Sequence, residues 1–400
     1  MKSLKTGRHF LQIPGPTNLP HQILRAIDRP TVDHRGAKFG EFASDVLERL
    51  KKVFKTKNPV VIYPSSGTGA WEAALTNTLS PGDKVLMFET GQFAYLWQDL
   101  AKRIGLDVIV HGDHWRTGVP VDEARGVLAK DKNHEIKAVC MVHNETATGV
   151  VSDVEGMRKA MDDAGHPALL LVDTISSLGS LDFRFDDWGV DVAIGGSQKG
   201  LMLPAGLGFN AISDKALEAN KTSKLPCCYF AWQDMLNANK DGFFPYTPAA
   251  NLLFGLDVAI DMLFEEGLDN VFARHERYAG ATRAAVKAWG METVCQAPGI
   301  YSPSITAIYT PEGHNSDAFR KVVLDNFDMS LGTGLARLQG KVFRIGHLGS
   351  FNELMMMGTL SGVEMGMELA GMPHEKGGVD AAMAFLTSSH AAENTRSAAE

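Results

Sequence analysis

From residue 60 onward, short apolar runs alternate with longer segments whose apolar positions recur every three or four residues. The runs are VVIY (60–63), KVLMF (84–88), DVIV (107–110), KAVCMV (137–142), ALLLVD (168–173) and DVAIG (191–195), with amphipathic segments at 69–79 and 93–104. The three-to-four spacing marks helices, and unbroken apolar runs bounded by turn residues mark strands buried on both faces. Strands of that kind belong to helix-covered, mostly parallel sheets, so the pattern predicts an α/β fold. PGD at 81–83 and DAG at 163–165 supply turns between units, and no fixed period repeats.

The rhythm stops at 225–251, where six aromatics, with Pro245 and Pro248, predict an irregular, functional or interfacial excursion. Helices are predicted at 252–264 and 265–289, strands at 304–309 and 342–345, and a helix at 353–369. These make a smaller α+β unit. The expected organisation is an N-terminal arm (1–20), a large domain (21–264), a small C-terminal domain (265–386) and a fraying polar tail (387–400).

Composition narrows the function classes. The 400 residues are 44% hydrophobic and carry a net charge of -8, enough for a large core and too acidic, with no basic arm, for a nucleic-acid partner. No apolar stretch approaches the roughly 18 residues of a membrane span, and the basic N-terminus lacks the apolar core of a secretory signal. A cytoplasmic protein is expected. The four cysteines, 140, 227, 228 and 295, show no CxxC spacing, which suits a reducing compartment. His111 and His114 stand three apart, half of a possible metal site, but no partner clusters near them in sequence, and no metal is expected.

Three places carry candidate chemistry. SSGTG (65–69) lies between a strand and a helix, where glycines admit a ligand, hydroxyls donate, and the helix start offers free N–H groups to a phosphate. It fits neither a Walker loop nor GxGxxG, and by itself an ordinary capped turn explains it equally well. Asp173 ends the apolar run ALLLVD, at the strand end where open sheets bind ligands, though a helix cap fits too. Lys199, in GGSQKGLM, is enclosed by glycines and apolar residues, where burial lowers an amine's pKa and makes it a nucleophile. Lysine for an aldehyde, aspartate for a pyridinium nitrogen and a glycine-rich cup for a phosphate together point to pyridoxal phosphate.

Eight blocks in order carry a resemblance: PGPTNLP (14–20), DHRGAKF (33–39), SSGTGAWEAAL (65–75), HNETATGV (143–150), VDTISSLGS (172–180), GSQKGLMLPAGLG (196–208), FPYTPAANLL (244–253) and GKVFRIGHLG (340–349). From 14 to about 378 the chain resembles the class V (fold type I) pyridoxal-phosphate aminotransferases, within them the serine-glyoxylate and alanine-glyoxylate group. The resemblance implies a mostly parallel seven-stranded sheet flanked by helices, with a smaller C-terminal α+β domain. It implies that Lys199 binds the cofactor aldehyde and shuttles the proton, and that Asp173 keeps the ring nitrogen protonated. Ser66, Gly67, Thr68 and Gln198 would hold the phosphate, with Thr247 reaching it from a partner subunit, so that a homodimer is expected. Thr146 would bond the phenolic oxygen, Ile175 would press one ring face, and Phe93 would stack on the ring where the alanine-glyoxylate enzymes carry tryptophan. Arg344 would grip the substrate carboxylate, with Gly15 lining the same site and favouring small oxo acids.

Some residues stay with structural roles in this reading. Arg35, His347 and Asn144 fit packing or pairing better than chemistry, and Trp71 and Trp97 are expected to pack. The implied reaction moves the amino group of a small L-amino acid, serine first and aspartate or alanine as alternatives, to glyoxylate. A lyase of the cysteine-desulfurase type would need a reactive cysteine on a loop over the site, and no such small-domain loop is evident.

Overall fold

A computed structural model describes residues 6–397, with side chains through 389. The strands in chain order are β1 (Phe10–Gln12), β2 (Val60–Ser65), β3 (Lys84–Glu89), β4 (Asp107–Asp113), β5 (Ile136–Val142), β6 (Asn144–Glu145) and β7 (Val150–Val151). They continue as β8 (Leu169–Asp173), β9 (Val192–Gly196), β10 (Gly206–Ile212), β11 (Ile305–Tyr309), β12 (Met329–Thr333) and β13 (Val342–Gly346). Seven of them form one sheet in the order β2-β10-β9-β8-β5-β3-β4. Only β10 runs against its neighbours, so the sheet is mostly parallel, as the apolar runs predict.

Alternate residues of these strands feed two separate cores. Val60, Ile62, Leu86, Phe88, Val139, Met141, Leu170 and Val172 pack on one face. Val61, Tyr63, Val85, Met87, Ala138, Cys140, Leu169 and Leu171 pack on the other. With helices over both faces, no strand position in the sheet centre can be polar cheaply, and the runs are therefore unbroken. Asp173 is polar at the end of β8, while Asn210, inside β10, is tolerated because it accepts the Tyr63 hydroxyl and donates to the Ala70 carbonyl.

The second sheet has the order β1-β12-β13-β11. Its first strand comes from the N-terminus: Phe10, Leu11 and Gln12 pair in parallel with Met329, Ser330 and Leu331. Part of the N-terminal arm is thus a strand of the C-terminal unit's sheet. Gly267, at φ +82°, separates the helices Ala250–Glu266 and Leu268–Ala288, which redirects the chain between the two units. The excursion contains one helix, Trp232–Asn239, whose Trp232 and Met235 are buried.

The tail departs from expectation. Helix Gly378–Ser397 continues through the segment assigned to a frayed end, and residues 398–400 lie outside the described residues. Alanine is a strong helix former, so a small-residue segment can extend a helix as readily as fray. The helix packs on Leu268–Ala288 through residues ahead of the tail. Ala382 and Leu386 are buried, and Phe385 lies where a Cβ on Gly280 would fall 2.4 Å from its ring.

Candidate active site

A cavity of about 280 Å³ opens at the C-terminal edge of the seven-stranded sheet, where β2, β8 and β9 deliver their loops. Ten of the twelve expected site residues line it: Gly15, Ser66, Gly67, Thr68, Phe93, Thr146, Asp173, Ile175, Gln198 and Lys199. They come from six separate parts of the chain.

Ser66 occupies the N-cap of helix Gly67–Thr78 with extended backbone, yet its hydroxyl makes no capping bond. The first turn therefore keeps its N–H donors, and with them the positive end of the helix dipole, for an anion. Gly67 is needed for contact: a Cβ there would sit 2.2 Å from Ile175 Cδ1. Opposite, Gln198 keeps a buried side-chain oxygen without a hydrogen-bond partner among the described residues. Buried polar atoms are paired as a rule, so this one fits a residue whose partner is a ligand. Uncapped helix, glycine cradle and orphaned amide together fit a phosphate.

Asp173 ends β8 and is buried. Its Oδ1 accepts the Ile175 N–H at 2.7 Å, and its Oδ2 accepts the Trp71 indole N–H at 2.9 Å. Burial pushes the carboxyl up to about 7, with the Glu145 charge adding, while the Ile175 and Trp71 donors and Lys199 pull the other way. A buried cation, such as a protonated pyridine nitrogen, would bring the carboxylate back into its ionised form. Trp71 was expected only to pack, and it does stack on Trp97, at 5.8 Å and 13°. It also aims Asp173. The signal was available: Trp71 stands four residues after Gly67, on the same helix face as the cup.

Lys199 follows β9 and is 7% exposed. Its Nζ donates to the Pro14 carbonyl, and a Cβ on Gly15 would lie 2.5 Å from its Cδ. Thr17 fixes the loop from the same side, its N–H bonding the Gln198 carbonyl and its hydroxyl donating to the Lys199 carbonyl, both at 3.2 Å. Burial lowers the ammonium to about 7, and Arg344 adds to this against Asp173 and Glu145. An amine reacts when neutral, and its neutral fraction grows as pH rises through its pKa. Cofactor uptake by the cofactor-free protein is therefore expected to accelerate up to about pH 7 and then level. Stopped-flow absorbance checks this. A rate still climbing toward the ordinary lysine value of 10.5 would contradict the lowered amine.

Glu145 is a site residue that sequence reasoning missed. It is fully buried and accepts the backbone N–H groups of Ala147 (2.9 Å), Ala94 (3.1 Å) and Phe93 (3.4 Å). Burial raises its carboxyl, opposed by these donors and by Arg344. It thereby ties the start of the helix bearing Phe93 to the loop bearing Thr146. The Thr146 hydroxyl shares a hydrogen bond with Ser176, and the Thr146 carbonyl accepts Arg344 Nη1 at 2.7 Å. Arg344 Nε donates to the Thr333 carbonyl at 2.7 Å. Burial draws the guanidinium down to about 10, with Glu145 opposing, so it stays a cation at neutral pH. Arg344 is set beside the cavity, on β13 of the other sheet, and meets it through the Thr146 loop.

Thr247 is exposed and does not line the cavity of its own chain. Arg35 is exposed, with its backbone N–H on Asp33 Oδ1 at 3.0 Å. His347 bonds Thr306 and the Pro303 carbonyl, and burial lowers its ring to about 3, which suits a structural histidine. Asn144 donates to the Ser176 carbonyl and the Ser304 hydroxyl, while its own oxygen has no partner among the described residues and its side chain faces the cavity. No cysteine lines the cavity. A larger hollow of about 900 Å³ lies beside helix Leu268–Ala288, where Arg283 pairs with Glu276 and Arg116 with Glu292.

A parallel sheet with a buried lysine after one strand and a buried aspartate after another, beside an uncapped glycine-rich helix, is the architecture of the fold type I pyridoxal-phosphate enzymes. Within them, the chain belongs to the class V aminotransferases: residues 9–339 match the sequence model of the family described as Aminotransferase class-V. Serine-glyoxylate aminotransferase of Hyphomicrobium methylovorum is 52% identical over 387 residues, covering 96% of each chain. L-aspartate-glyoxylate aminotransferase of Paracoccus denitrificans is 47% identical over 395 residues, covering 98% of this chain and 100% of its own. Among solved structures, pyridoxamine-pyruvate aminotransferase from Mesorhizobium loti superposes with a TM-score of 0.88 at 27% identity, covering 96% of this chain and 98% of that one.

Proposed function

We propose that this chain is a pyridoxal-phosphate aminotransferase that moves the amino group of L-serine to glyoxylate, giving hydroxypyruvate and glycine. The carrying observation is the burial of Lys199 and Asp173 in one cavity beside an uncapped helix start. When bound, the cofactor supplies an electron sink that lets the substrate Cα release a proton. Lys199 Nζ, lowered toward neutrality, receives and returns that proton. Asp173, aimed by Trp71 and the Ile175 N–H, would face the ring nitrogen, and Thr146 would bond the phenolic oxygen. Ser66, Gly67, Thr68 and Gln198 would hold the phosphate, joined by a partner subunit's copy of Thr247, while Ile175 and Phe93 would enclose the ring. Gly15 and its neighbours in the 14–17 turn cover the cavity and keep the oxo acid small.

Arg344 binds the α-carboxylate common to donor and acceptor. Arg344→Lys is expected to raise KM for serine and glyoxylate about 10- to 100-fold, with kcat changing less, because an ammonium cannot hold the Thr333 and Thr146 carbonyls and a carboxylate at once. Steady-state kinetics with each substrate varied separately check this.

Serine is favoured over aspartate because, among the described residues, Lys199 is the one cation lining the cavity of a single chain and Arg344, beside it, is taken by the α-carboxylate, which leaves no lining cation for a second carboxylate. Relatives named for serine also stand at 52% and 49% identity. A homodimer working in the cytoplasm accounts for exposed Thr247 and for four free cysteines. The lyase alternative lacks a cysteine at the cavity.

Absorbance titration of the holoenzyme with L-serine, L-aspartate and L-alanine, each followed by glyoxylate, tests the reading. Serine is expected to convert the visible cofactor band to the near-ultraviolet aminated form, and glyoxylate to restore it. Conversion by aspartate alone would replace the donor. No conversion by any of the three would remove the transaminase reading.

A further inference from the structure

Residues three apart in a strand face opposite sides, so His111 and His114 should not meet. In β4 they do. The pairing with β3 sets Phe88 against His111 and Glu89 against Asp113, skipping Gly112, which adopts φ +65°. This bulge inserts one residue, restoring both imidazoles to one face of an edge strand. The His114 N–H then bonds the Glu89 carbonyl at 2.8 Å, and the two rings lie 6.4 Å apart at 15°. Glycine is required: a Cβ at 112 would sit 2.1 Å from His114 Nε2.

The partner that was not visible in sequence arrives from helix Val121–Lys130. Glu123, in its first turn, places Oε2 3.2 Å from His111 Nδ1. Ligand atoms of His111, His114 and Glu123 all lie within 4.8 Å of one another. Both His111 Nδ1 and His114 Nε2 are buried atoms without a hydrogen-bond partner among the described residues. An ion pair with Glu123 accounts for the first nitrogen and leaves the second unexplained. A cation accounts for both.

We propose that His111, His114 and Glu123 bind one divalent transition-metal ion, with zinc the best fit, water completing the shell. Two imidazoles and one carboxylate suit zinc, whose tetrahedral bonds of about 2.0–2.1 Å set ligand atoms roughly 3.3 Å apart. The His111–Glu123 pair already has this separation, and since the His114 nitrogen lies within 4.8 Å of the others, closing the gap takes a movement of at most about 1.5 Å by a partly exposed side chain. The site lies away from the cofactor cavity, next to Asp113, which pairs with Arg337 of the other unit.

The test uses chelator-treated holoenzyme without amino acid substrate, titrated calorimetrically with Zn²⁺ and spectroscopically with Co²⁺. One equivalent per chain is expected, with Co²⁺ giving visible bands at longer wavelength than the cofactor. His111→Ala and His114→Ala should each weaken binding about tenfold or more, and Glu123→Gln should weaken it less. All three should keep the wild-type unfolding temperature and transamination rate. No saturable equivalent in the wild type, or an equivalent that survives all three substitutions unchanged, would overturn the site.

Discussion

Lys199→Ala is expected to reduce transamination at least about a thousandfold while leaving a folded protein. The side chain is buried, its amine meets the Pro14 carbonyl as its one hydrogen-bond acceptor among the described residues, and in the proposed reaction it would carry the proton between substrate and ring. Among the described residues no other amine lines the cavity, so no neighbour can take over. Stability should change little, because the substitution removes a buried group whose charged form is disfavoured along with the packing of its stem. Unfolding temperature and single-turnover absorbance, measured on the same preparation, separate the two effects. A variant with near wild-type turnover would remove the central assignment.

Asp173→Asn is expected to lower kcat about 100- to 1,000-fold and to let cofactor escape during gel filtration. The isosteric amide can still accept the Ile175 N–H through one atom. Its other end then presents N–H to the Trp71 indole N–H, setting donor against donor where a carboxylate oxygen accepted at 2.9 Å. The charge facing the ring nitrogen is also gone. Full activity with retained cofactor would show that the carboxylate is structural.

The large sheet was legible because its strands are buried on both faces and therefore write continuous apolar runs. β10 escaped, since GLGFNAI opens with two glycines and follows the lysine loop without a turn signal of its own. Its antiparallel place between β2 and β9 is a tertiary fact. Lys199 and Asp173 were legible from the cost of putting charge in apolar surroundings. Glu145 was not, because the donors that tolerate it, at Phe93 and Ala94, lie some fifty positions away and are backbone groups with no signature. Trp71 was seen as a large apolar residue when its indole N–H mattered as much. The tail misled because small and polar residues such as alanine, serine and glutamate suit a helix as well as a frayed end.

β1 has a bearing on how the molecule can be cut and fused. Three residues of the N-terminus are woven beside β12, and the next turn lays Pro14 and Gly15 over Lys199, while Arg344 rides on β13 of that same sheet. The cover of the buried amine and Arg344, to which the proposed reaction gives the substrate carboxylate, thus both depend on one sheet. A chain trimmed at residue 13 would keep Lys199, Asp173 and Arg344 and lose the strand pairing that leads into that cover, and a bulky fusion at the N-terminus would load it.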